Sequence, residues 1–191
     1  MAGAASQAAF CIAYAWMARG AAWPLALAAG FTAFALATVA LTPIAPPLSA
    51  LALAVFAALG VAVRAMPRTS QDAGVRTPPP VWDLPARMVV ATAFVIALTA
   101  SAGALGPRLT GLLAPFPLYA AVLTVFAHAF DGGDTAASVL RGLLMGLFAF
   151  AAFFLVLAAM LSTAGIAAAF AIAVAVALAL QGASLWLLHR L

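Results

Sequence analysis

Long apolar runs, broken at short polar or Pro/Gly-rich punctuation, dominate this chain. Seven stand out: Ala4–Ala18, Ala22–Leu41, Pro47–Val63, Leu84–Leu105, Gly111–Phe130, Ser138–Leu161 and Gly165–Leu188. The charges inside them, Arg87 and Arg141, lie within a turn or so of the start of their runs. Runs of this kind predict α-helices, because a segment in hydrocarbon must satisfy its backbone internally. Ala171–Leu178 alternates like a strand, but it sits inside one apolar run that is too long for a strand. A transmembrane barrel would show many short alternating segments instead. The first run is short for a crossing and has no basic residue ahead of it, so it makes a poor signal peptide.

Breakers stand between the runs. Thr42-Pro43 and Pro46-Pro47 separate the second from the third, Gly106-Pro107 the fourth from the fifth. Asp131-Gly132-Gly133-Asp134 separates the fifth from the sixth, and Ser162-Thr163 the sixth from the seventh. The one sizeable connection runs from Arg64 to Asp83 and holds Pro78-Pro79-Pro80, which favours stiff extended backbone. Asp83 and Asp134 have the chemistry of N-caps. The expected organisation is membrane helices over 1–66, a Pro- and Arg-containing linker over 67–83, and a four-helix module over 84–191. Thr32-Ala33-Phe34 recurs as Thr92-Ala93-Phe94, a hint of parallel repeats.

Composition sharpens this picture. The 191 residues are 68% hydrophobic and 6% charged, against about 25% charged in an ordinary soluble domain. So little polar surface cannot coat a water-soluble globule. The expected fold class is therefore an all-α polytopic membrane bundle of seven transmembrane helices, or six if the first run does not cross.

All eight cations are Arg, and with seven crossings Arg19, Arg64, Arg68, Arg76, Arg87, Arg141 and Arg190 fall on one side, Arg108 on the other. The crowded side is the expected cytoplasmic one, with the N-terminus outside and the C-terminus inside a bacterial inner membrane. The expected surroundings are the lipid bilayer and either further copies of the chain or another membrane protein. Scattered arginines make no nucleic-acid patch.

Candidate chemistry is sparse. Pro115 and Pro117 remove two amide donors near the start of the fifth run, so Gly111, Pro115, Phe116 and Pro117 could form a broken helix beside a polar site. The alternative is a helix that simply begins at Pro117. Tyr119 and Thr124 could add hydroxyls to such a site. Asp134 and Arg141 could pair with each other, or Arg141 could meet lipid phosphate. His128 and His189 end two helices on the same side, and a bis-imidazole haem or a metal would need such a pair. No cofactor is expected from them. Cys11 is a single thiol, which excludes an intrachain disulfide. No Asp or Glu lies within an apolar run, which disfavours carboxylate-coupled antiport and leaves an enzyme without its acid or base.

Gly111-Leu112-Leu113, Phe116-Pro117 and Leu140-Arg141 together resemble the GlpM-like family of small bacterial inner-membrane proteins. The resemblance covers about residues 84–190. It implies a four-helix inner-membrane module with both ends cytoplasmic, and no particular reaction. The connection between the fifth and sixth helices is longer than in that family, and the first 80 residues lie outside its pattern. The leading functional expectation is a permease-like protein for a small solute or a lipid-related substrate. The alternative is a non-transporting helper or assembly subunit of an envelope system, and a redox protein using His128 and His189 comes last.

Overall fold

A computed structural model describes residues 2–43, 46–68, 82, 117–188 and, within 84–100, all but 87, 91, 94 and 98. Every regular element among these residues is an α-helix. Helix α1 spans Ala2–Met17, α2 Trp23–Leu41 and α3 Leu48–Ala65. A shorter apolar helix, α4, covers Leu84–Ala97. Helix α5 spans Leu118–Asp131 and α6 Gly133–Leu188. The apolar stretches Trp23–Leu41, Leu48–Ala65 and Gly133–Ser184 are long and apolar enough to cross a membrane.

Local chemistry sets most boundaries. Pro24 occupies the first turn of α2, where a missing amide costs nothing, and Pro47 is the extended residue before α3. Gly132 takes φ 89° between α5 and α6, a left-handed geometry that suits glycine. Asp134 falls inside the first turn of α6 rather than at its cap, where a carboxylate still complements the helix dipole.

The break expected at Ser162-Thr163 falls three residues later. Helical geometry continues to Gly165, whose φ 76° and ψ 167° interrupt α6. In a straight helix Phe153 and Phe170 would lie roughly 25 Å apart. Their ring centroids are 5.9 Å apart, so the chain folds back at Gly165 and α6 consists of two arms.

Helix α1 sits at the centre of the bundle, packed against α2, α3 and α6. Phe10, Cys11, Tyr14 and Ala15 are all buried there. Phe10 lies 5.5 Å from Phe31 and 5.9 Å from Tyr14, ring centroid to centroid. Gly30 lets α2 close onto this ring, since a Cβ there would come within 2.8 Å of two Phe10 carbons. Helix α3 contributes Ala52, Val55, Leu59 and Ala62, three and four residues apart on one face. Leu140 and Leu144 of α6 complete the core.

One end of the bundle collects the arginines. Gly133 lies against the backbone of Ala18, which brings the start of α6 to the end of α1. The Trp16 indole Nε1–H donates to the Ala65 carbonyl at 2.9 Å, which levels the end of α1 with the end of α3. Arg141 reaches the Pro67 carbonyl at 3.3 Å, and Trp82 stacks edge-on against Phe130 at 5.5 Å. Arg19, Arg64, Arg68 and Arg141, the arginines among the described residues, are therefore all carried at this end. Arg76, Arg87, Arg108 and Arg190 lie outside the described residues.

Candidate functional site

Most hydroxyls in the apolar helices bond back to their own helix. Thr32 donates to the Ala28 carbonyl at 2.8 Å, Thr42 to Thr38 at 2.7 Å, and Ser138 to Asp134 at 3.0 Å. Such a bond hides the hydroxyl without calling on another helix. Thr124 differs. It is fully buried on α5, and its Oγ1 has no partner among the described residues. Thr38 of α2 also holds a buried hydroxyl without a partner.

One turn beyond Thr124, His128 meets α1. The Tyr14 hydroxyl lies 3.2 Å from His128 Nδ1, a hydrogen bond between residues 114 positions apart. When the phenol donates, the neutral imidazole carries its own proton on Nε2. The two rings meet edge to face, with centroids 5.9 Å apart. Helix α5 turns Ala121, Val122, Thr124 and Ala127 inward. The Tyr14–His128 bond joins α5 to the central helix, and the Thr124 hydroxyl lies one turn away on the inward face of α5, so the two form a polar seam along that helix. A polar group in such a place either fixes helix register or contacts a polar guest.

The expected site residues divide into three groups. Gly111, Pro115 and Phe116 lie outside the described residues, as does His189. Pro117 is the residue before the first turn of α5, at the edge of the described residues. Tyr119 is 64% exposed, on the outside of the bundle and away from the buried Thr124. Thr124 and His128 stand one turn apart on α5, and His128 is the one that meets α1.

Asp134 is exposed, and the hydrogen bond seen for Arg141 goes to Pro67 rather than to a carboxylate. Among the described residues no group of three or more His, Cys, Asp or Glu could hold a metal. Tyr14, which the sequence reasoning passed over, is the partner of His128. The available signal was a phenol inside an apolar run, a placement that usually calls for a hydrogen-bond partner.

Comparison with protein-family models, with curated proteins and with solved structures gives no match.

Proposed function

We propose that this chain is a multi-pass protein of a bacterial inner membrane, crossing seven times, with the arginine-bearing end in the cytoplasm. Large apolar side chains on the outside of the bundle support the membrane setting: Leu36, Leu53, Val61, Ile166 and Leu178 are each more than 60% exposed. So many large apolar side chains on the exterior are unsuited to water. The gathering of the described arginines at one end supports the orientation. The resemblance of residues 84–190 to GlpM-like proteins agrees with both and adds no substrate.

Within that setting the protein is read as permease-like, with its site in the seam between α1 and α5. The observation that carries this reading is the buried, unpartnered hydroxyl of Thr124 one turn from the Tyr14–His128 bond. An orphaned buried polar atom calls for an occupant such as water or a polar solute. The second reading, a non-transporting membrane module, is favoured by the burial of α1 on several sides, which gives a rigid centre.

Thr124→Cys in a Cys11→Ala background separates the two. A small charged methanethiosulfonate added to sealed vesicles modifies a cysteine only where water reaches it. Modification from the arginine-bearing side is the permease result. Protection in vesicles, with full modification after denaturation, would favour the module.

A further inference from the structure

Arg141 stands apart from the other described arginines. It lies eight residues beyond Gly133, about 12 Å deeper along α6, and its side chain reaches back to the end of α3. One Nη2 proton goes to the Pro67 carbonyl at 3.3 Å, while its Nε is buried without an acceptor among the described residues. The partner seen for this permanent cation is therefore a neutral oxygen. A partly buried charge in that position is costly unless an anion faces it.

Neighbouring groups identify the layer. Trp16 donates to the Ala65 carbonyl, and the Arg19 guanidinium lies 5.1 Å above the Trp16 ring. Tryptophan and arginine together mark the headgroup level of a bilayer. Arg68 is exposed and follows Pro67, the residue whose carbonyl Arg141 meets, so a second cation is carried on the next residue of the chain. Guanidinium groups suit phosphate because they offer several N–H donors in one plane. Asp131 and Asp134 belong to the same end and are exposed, so both remain open to solvent.

We propose that Arg141, with Arg68 next in the chain to its Pro67 partner, binds a phosphate group, and that this phosphate belongs to an anionic lipid headgroup. The proposal rests on the membrane setting above but not on the α1–α5 seam, so failure of either leaves the other standing.

The test uses the full chain in nanodiscs of phosphatidylcholine alone and of phosphatidylcholine with phosphatidylglycerol. The anionic lipid is expected to raise Tm by roughly 5 °C, as a ligand specific to the native state should. Arg141→Gln removes most of that rise, and Arg141→Lys keeps part of it. Equal Tm in the two lipids, or a Gln variant that lowers Tm equally in both, would overturn the proposal. The second result would leave the Pro67 carbonyl, not a lipid, as the partner that matters at Arg141. Inorganic phosphate added to phosphatidylcholine discs separates the sources: a full rise there would make free phosphate the ligand and sink the lipid assignment. If the Gln variant does not fold, native mass spectrometry of the wild-type and Arg141→Lys proteins decides. Preferential retention of phosphatidylglycerol by the wild type supports the proposal, and indifferent retention contradicts it.

Discussion

Helix α1 and the arm of α6 beyond Gly165 have similar compositions and opposite fates. Both are alanine-rich apolar segments. In α1, Phe10 and Tyr14 are 0% exposed, whereas Ile166 and Leu178 of the arm are 72% and 67% exposed. The arm buries its small residues Ala169 and Ala173 and turns Ile166, Phe170, Val174 and Leu178 outward. Hydropathy therefore tells which medium a helix tolerates, not which neighbour it meets. Lipid tails are as apolar as leucine, so the hydrophobic effect does not rank faces within a bilayer. Close packing does, and α1 carries the aromatic residues and small contacts that achieve it.

Substitutions can break or sharpen this contrast. The largest effect is expected from Phe10→Ala, which empties the centre of the core and should cost about 3–5 kcal/mol. Equilibrium unfolding in mixed micelles would measure it. Gly133→Ala comes next, because its Cβ would run into the backbone carbonyl of Ala18, which cannot swing aside as a side chain can. A loss of about 2–3 kcal/mol is expected in the same assay. Tyr14→Phe keeps the ring and removes only the bond to His128, so about 0.6 kcal/mol is expected, in line with hydrogen bonds between membrane helices. Leu178→Ala, on the lipid-facing arm, should change stability by less than about 0.5 kcal/mol. A loss at Leu178 comparable to that at Phe10 would mean that a protein neighbour covers the arm.

Much of the fold was legible in the residues. Pro43, Pro46 and Pro47 mark the end of α2 and the start of α3 because proline cannot continue a hydrogen-bonded helix, and the structure breaks there. The turn of α6 was placed at Ser162-Thr163, yet Thr163 bonds back to the Met160 carbonyl at 3.3 Å, a contact compatible with helix. Gly165 makes the turn because its backbone alone there can take φ 76° at little cost. The central place of α1 was not legible. Its short run looked marginal as a crossing, and length says nothing about which helix the others surround.

The candidate site was half visible. The sequence offers Thr124 and His128 singly, but the approach of His128 to Tyr14 is a tertiary contact across 114 positions that no local pattern encodes. Tyr119 carries the same hydroxyl chemistry and points outward, since its place on α5 sets it on the exposed face.

The central claim is that lipid covers the large outward-facing side chains. Nitroxide spin labels at Ile166, Val174 and Leu178, in vesicles, read it directly by collision with oxygen and with a water-soluble nickel chelate. High oxygen and low nickel accessibility at Val174, with the exposed Asp131 as the water-exposed reference, is the result expected of a membrane bundle. Nickel accessibility at Val174 and Leu178 equal to that at Asp131 would place these residues in water and contradict the account.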